Sequence, residues 1–221
     1  MPLYIIATPI GNLKDITFRA IETLKESDII LAEDTRRSGV LLNHYNINNK
    51  QLISFNDKNK EKKTHSIIQD LNENKSISLI SDSGTPGISD PGFYLTREAI
   101  KNNIKIIPIP GPTASISALI SSGFPTDEFT FYGFIPKKEK KKIELLNKIK
   151  QENRTTILYE SPYRLIKTLN TIKETIPDKE ICIAREITKK FEEFIRGTAE
   201  ELINKLSNKN IKGEITIIIK K

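Results

Sequence analysis

The sequence predicts an α/β protein of two domains. The N-terminal one is a doubly wound, mostly parallel sheet, and the C-terminal one a mixed α/β sheet. Three observations carry this. Short apolar runs alternate with helix-spaced runs through the first half, which is the pattern of a parallel sheet covered on both faces. The alternation breaks after Gly123-Phe124-Pro125, where strands and helices follow in a less regular order and a mixed sheet is expected. A chain of 221 residues is also long enough for two domains of about a hundred residues each. The expected boundaries are 1–122 and 123–221.

In chain order, Leu3–Ala7 reads as a buried strand followed by the loop Thr8-Pro9-Ile10-Gly11-Asn12. Asp15 is placed to cap a helix over Ile16–Lys25. Ile29–Ala32 is the next strand, followed by Glu33-Asp34-Thr35-Arg36-Arg37 and a helix over Val40–Tyr45. Gln51–Ser54, Ser76–Ile80 and Lys105–Ile109 are further strands, with helices over Lys60–Asn72 and Phe93–Lys101. Pro108-Ile109-Pro110-Gly111-Pro112 leaves its backbone little freedom. It opens a helix of small residues, Ala114–Ser122, against which a ligand or another element can pack closely.

In the second half, strands are expected at Phe129–Phe134, Thr155–Tyr159, Glu180–Ala184, Phe191–Arg196 and Ile215–Ile219. Helices are expected from Pro136 to about Gln151, over Pro162–Thr175 and over Ala199–Ser207.

The stretch with most chemical content is Ser81–Gly92. It joins a strand to a helix with three glycines, two prolines and two aspartates in twelve residues. A connector of this type needs about two to six residues. A longer one rich in Gly and Pro is rigid and lets a ligand approach the backbone. With the loops Thr8–Asn12, Glu33–Arg37 and Pro110–Thr113 it belongs to one edge of a parallel sheet, where ligands bind. No glycine fingerprint for phosphate is present, which argues against a nucleotide held by its phosphates. Glu33, Asp34, Asp82 and Asp90 suit either a hard cation or helix capping, and the placement of Asp90 favours a cap.

Composition narrows the classes further. Net charge is +7, which fits a polyanionic partner or a lysine-rich solvated surface. Eight of the 35 basic residues are Arg, and Arg36, Arg37, Arg164 and Arg185 lie in or beside the distinctive segments. A single cysteine, Cys182, reads as core filler, and with His44 and His65 the only histidines a Cys/His metal site is not expected. No leader or apolar span of about eighteen residues is seen, so a cytoplasmic protein is expected.

Seven segments in this order carry a family resemblance. They are Ala7–Leu13, Ala32–Arg36, Ser81–Gly92, Ile109–Ala114, Phe131–Pro136, Tyr159–Arg164 and Ala184–Lys189. Over essentially all 221 residues the chain resembles the small-subunit (16S) ribosomal RNA cytidine 2′-O-methyltransferases, a branch of the tetrapyrrole methylase superfamily. The resemblance implies S-adenosylmethionine in a cleft between the two domains. It also implies a decoding-centre cytidine of 16S rRNA in the 30S subunit as substrate, and a homodimer.

It implies cofactor contacts at Pro9, Asp82, Ser83, Gly84, Thr85 and Ile88, at Thr113 and Ala114, and at Tyr132, Gly133 and Tyr159. Arg36, Arg37, Arg164, Lys137 and Lys138 are the expected RNA contacts, Glu160 and Asp34 the candidate proton acceptors, and no metal is required. Longer members carry a further helical C-terminal segment. This sequence ends at Lys220-Lys221, and the lysine cluster 137–142 is expected to grip RNA in its place, unless it is only a solvated helix start. A small-molecule methyltransferase, a non-catalytic RNA-binding module and a metal-dependent phosphohydrolase are the competing readings. The basic balance, the clustered rigid loops and the lack of a compact carboxylate set weigh against them in turn.

Overall fold

A computed structural model describes residues 1–221 as two compact units, Met1–Thr113 and Ala114–Lys221. The first unit contains β1 (Leu3–Ile6), α1 (Phe18–Glu26), β2 (Ile29–Ala32), α2 (Thr35–His44), β3 (Gln51–Ser54), α3 (Lys60–Asn72), β4 (Ile77–Ile80), α4 (Phe93–Lys101) and β5 (Ile106–Ile109). A short 3₁₀ turn at Leu13–Asp15 precedes α1. All five strands are parallel, in the order β3-β2-β4-β1-β5.

Strand alternation explains why both faces are covered. Leu3, Ile29, Leu31, Ile77 and Leu79 pack on one face against Ile67 and Leu71 of α3 and Leu95 and Ala99 of α4. Ile6, Ile30, Ala32 and Ile80 pack on the other against Ala20 and Leu24 of α1 and Leu42 of α2. Ser78 faces that second layer, and its hydroxyl lies 2.5 Å from Ser27 Oγ, which donates to Thr23 O at 2.8 Å. Pro108 sits in the edge strand β5, where a missing N–H leaves no ladder partner unsatisfied.

The second unit contains α5 (Ala114–Ser122), β6 (Phe129–Phe134), α6 (Glu139–Lys150), β7 (Thr155–Glu160), α7 (Leu165–Thr175), β8 (Ile181–Arg185), β9 (Glu193–Gly197), α8 (Ala199–Leu206) and β10 (Ile215–Ile219). Its sheet is mixed, in the order β6-β7-β10-β8-β9, with β6 and β7 parallel and the remaining pairs antiparallel. One face carries the larger core: Leu158, Ile181, Ile183, Ile215, Ile217 and Ile219 packed against α6, α7 and α8. α8 begins in a full capping box between Thr198 and Glu201.

Three expectations are corrected. The helix of small residues belongs with the second unit, not the first. Ala118 and Leu119 pack against Ile157, Cys182, Ala184 and Ile218 on the other face of the second sheet. Arg196 holds the helix end, donating from Nε to Ser122 O at 2.7 Å and from Nη2 to Ser121 O. Asp15 does not cap α1. Thr17 does, accepting from Ala20 N at 3.1 Å. α4 is entered through Gly92 rather than Asp90.

Leu119 is 2% exposed, so Leu119→Ala opens a cavity under α5 that the small neighbouring residues cannot fill. The expected loss is about 2–5 kcal/mol, read from the midpoint of urea unfolding at unchanged m-value.

Candidate functional site

In the first unit the loops at the C-terminal ends of four of the five parallel strands, β1, β2, β4 and β5, are tied to one another. Thr8 and Gly84 exchange both backbone hydrogen bonds, Thr8 N to Gly84 O at 2.8 Å and Gly84 N to Thr8 O at 3.1 Å. Thr8 Oγ1 donates to Ser81 O at 3.1 Å. Thr85 Oγ1 donates to Pro112 O at 3.1 Å and lies 2.7 Å from Thr113 Oγ1. Gly84 has φ +84°, and a Cβ there would lie 3.4 Å from Ile10 and 3.8 Å from Pro112 O. Ser81–Gly92 is therefore a fixed shelf whose neighbours are the Thr8 and Pro112 loops.

The predicted cofactor residues of this unit fall on that shelf. Pro9 and Gly84 are buried, Ser83, Thr85 and Thr113 are half-buried, and Ile88 is exposed. Asp82 has a different task. Its Oδ1 accepts from Asp34 N at 2.9 Å and its Oδ2 lies 3.5 Å from Arg37 Nη1, so it staples the β2–α2 loop to the β4–α4 loop.

Asp34 is the N-cap of α2, accepting from Arg36 N at 2.9 Å. It also holds the Arg36 guanidinium in a two-point pair, Nε to Oδ1 at 3.1 Å and Nη2 to Oδ2 at 2.7 Å. The Arg36 hydrogen bonds keep its carboxyl well below the usual carboxylate range, which makes it a weak base. Two neighbours go the other way. Burial, with the negative charges of Asp82 and Asp57, raises Glu33. Burial, with Glu33 and Asp82 nearby, raises Asp90 to about 6. The sequence showed four carboxylates but not which would lose basicity to an arginine. No three His, Cys, Asp or Glu side chains are grouped as a metal ion would need.

In the second unit the predicted residues separate. Glu160 is 2% exposed. Its Oε1 accepts from Ser161 N at 2.6 Å and pairs with Arg164, and its Oε2 accepts from Thr168 Oγ1 at 2.6 Å. Arg164 also donates from Nη2 to Ile135 O at 3.0 Å. Glu160 is thus built into the start of α7, where it orients Arg164, and Arg164 joins the ends of β6 and β7. Lys137 and Lys138 are exposed at the entry to α6, whereas Lys142 of the same cluster is buried against Glu139, 3.5 Å away.

Tyr132 packs with the large core under Lys148, whose Nζ lies 5.1 Å from the ring centroid. A bulge at Tyr132-Gly133, with Gly133 at φ +68°, puts Phe131 and Phe134 together on Tyr159, with ring centroids at 5.0 and 5.4 Å. Those two phenylalanines were missed, although a glycine inside a strand is the usual sign of a bulge. Ala114 is half-buried at the start of α5. A separate groove of about 560 Å³ lies between α3 and α4, lined by Glu61, His65, Asn72, Tyr94 and Glu98.

The fold and the glycine-rich shelf define a class. The family profile described as Tetrapyrrole (Corrin/Porphyrin) Methylases matches residues 2–203, and the chain belongs to that family. A uroporphyrin-III-C-methyltransferase from Thermus thermophilus has the same fold at a TM-score of 0.68 and 16% identity, covering 100% of this chain and 94% of its own. Within the family the chain groups with proteins named ribosomal RNA small subunit methyltransferase I. It is 49% identical to that of Halalkalibacterium halodurans, over 98% of this chain and 75% of the relative. It is 48% identical to that of Thermotoga maritima, over 98% and 97%. The Bacillus subtilis relative is 44% identical over 98% and 74%.

Two outcomes follow from the buried groups. Arg164→Ala strands the Glu160 carboxylate in the core and should cost about 3–5 kcal/mol of stability, against far less for the exposed Arg36→Ala. Thermal melting separates the two. Asp90 holds its proton more tightly in the fold than in the unfolded chain, so its ionised form costs stability above about pH 6. That cost is relieved as pH falls from about 6 towards 4, and Asp90→Asn should raise the melting temperature at pH 8 but not at pH 4.

Proposed function

We propose that the chain transfers the methyl group of S-adenosylmethionine to the ribose 2′-oxygen of a decoding-centre cytidine in 16S ribosomal RNA. It would act in the cytoplasm, on the 30S subunit, as a homodimer. The observation that carries this reading is the tied shelf of Ser81–Gly92 at the edge of a parallel sheet, bordered by carboxylates and without a phosphate fingerprint. The cofactor fits it. Its sulfonium and ammonium outweigh its one carboxylate, and at this edge Glu33, Asp34, Asp82 and Asp90 outnumber Arg36 and Arg37, in a chain whose net charge is +7.

Bound S-adenosylmethionine supplies an already activated methyl, so the protein's part is to place the ribose oxygen in line and to receive its proton. Ser83, Gly84 and Thr85, with Pro9, Ile88, Thr113 and Ala114, are assigned to hold the cofactor, together with Gly133 and Tyr159. Phe131 and Phe134 replace Tyr132 as the rings that accompany Tyr159, since Tyr132 lies in the helix-covered core. Asp82 acts by fixing the shelf. Arg36, Arg37, Lys137 and Lys138 remain the RNA contacts. Arg164, joined to Glu160 and to Ile135 O, orders the loop that carries Lys137 and Lys138.

Neither expected proton acceptor keeps its basicity and its access: Asp34 is held by Arg36 and Glu160 is enclosed. Asp90, pushed up to about 6 by burial and its acidic neighbours, is the better acceptor. Methylation should therefore fall as pH drops through about 6 in the parent protein, and that limb should vanish, with a large loss of rate, in Asp90→Asn. Calorimetry with S-adenosylmethionine and mass mapping of 16S RNA from cells lacking the protein, with and without complementation, test the reading as a whole. Unchanged methylation in those cells would overturn it.

A further inference from the structure

Three strands of the second unit deliver their C-terminal ends to one edge of the sheet. β6 runs parallel to β7, and β7 and β8 both run antiparallel to the β10 between them. Phe134 pairs with Tyr159, and Glu160 and Arg185 both pair with Ile215, so the three ends are level. The segments leaving this edge are 135–138, 161–164 and 186–192.

An exposed aromatic ring stands at each, Phe134 as the last residue of β6 and Tyr163 and Phe191 within the second and third segments. Phe134 is 61% exposed, Tyr163 94% and Phe191 64%. Single exposed rings are ordinary on any surface. Phe134 packs edge-on against Tyr159, but two further rings as exposed as Tyr163 and Phe191 on loops of one sheet edge are not explained by packing. Exposed cations accompany them: Lys137, Lys138, Lys190 and Lys212. Lys190 Nζ lies 5.6 Å from the Phe191 centroid.

The loops that present the rings are held in place. Arg164 is fixed to Glu160 and to Ile135 O, which ties the first segment to the second. In the third, Lys189 Nζ donates to Glu186 Oε1 at 2.8 Å and to Glu214 Oε2 at 3.0 Å, and Thr188 N donates to Glu192 Oε2 at 2.6 Å. Glu186 and Thr188 keep left-handed backbones, φ 53° and 67°, within that network. The backbone that carries the rings is therefore held, and side-chain rotation is the main ordering left to do on binding.

We infer that this edge is a track for single-stranded RNA, with Tyr163 and Phe191 as stacking platforms for unpaired bases and the lysines as contacts for the backbone between them. From β6 to β8 the edge spans three strand spacings, about 14 Å, enough for a few nucleotides. Rings stack only on bases that are not paired, so the track selects unpaired RNA where lysines alone would accept any polyanion. The inference rests on RNA being the substrate and adds the residues that hold the strand flanking the methylated ribose.

The test is fluorescence anisotropy of the full chain with a short labelled single-stranded RNA and with its duplex. Tyr163→Ala and Phe191→Ala should each weaken single-strand binding roughly five- to a hundredfold, while Tyr163→Phe and Phe191→Tyr stay within about twofold. Duplex binding and calorimetric affinity for S-adenosylmethionine should not move. The salt slope should be unchanged in the ring variants and lower by about one in Lys137→Ala. Unchanged single-strand affinity in both alanine variants overturns the track. So does a loss that sedimentation velocity traces to altered self-association, which would give the rings to a second copy. A parent protein that binds RNA through the rings but neither binds S-adenosylmethionine nor methylates would sink the proposed reaction and leave the track standing.

Discussion

The reciprocal backbone bridge between Thr8 and Gly84 is the constraint on which the first unit's edge depends. It joins the loop after β1 to the loop after β4, the two central neighbours of the sheet. Once it is made, Thr85 falls within reach of Pro112 and Thr113, and the loop after β5 is fixed as well. Asp82, two residues before Gly84, then reaches Asp34 N and fixes the loop after β2. Four loops thereby become one surface. The bridge needs a left-handed backbone at Gly84, which is why a side chain there would strain the whole edge.

The two units offer edges of opposite electrostatic character. The first gathers carboxylates, and burial together with their neighbouring negative charges raises the proton affinity of Glu33 and Asp90. The second gathers lysines and aromatic rings on loops locked by internal ion pairs. A cationic methyl donor and a polyanionic acceptor need opposite fields, and a single uniformly basic surface would repel one of them. The net charge of +7 hides this division, because it sums over both.

Much of the fold was legible because its signals are local. α3, α4, α5, β3, β6 and β10 begin and end where periodicity and turn residues place them. The all-parallel first sheet followed from strict alternation and the mixed second sheet from its loss. What was not legible depends on tertiary choice. Thr17 outcompeted Asp15 as a cap two residues away. The membership of α5 was decided by Ala118 and Leu119 meeting a sheet formed later in the chain. The loops of the candidate site could be named from composition, but the division of labour among Glu33, Asp34, Asp82 and Asp90 could not. That division turns on which carboxylate an arginine reaches, a matter of ångströms. Glu160 shows the same limit: its sequence position suits a base, and its burial makes it a strut.

The bulge at Tyr132-Gly133 has a consequence for the length of this strand. In a regular strand, Phe131 and Phe134 would point to opposite faces. The extra residue brings both to Tyr159 and leaves the next residue, Ile135, 2% exposed in the large core. A deletion of one residue here would exchange the two environments, sending an aromatic ring inward and an aliphatic core residue into water. The phase of the strand, rather than the identity of any one side chain in it, is what keeps the interior apart from the outer face that carries the rings.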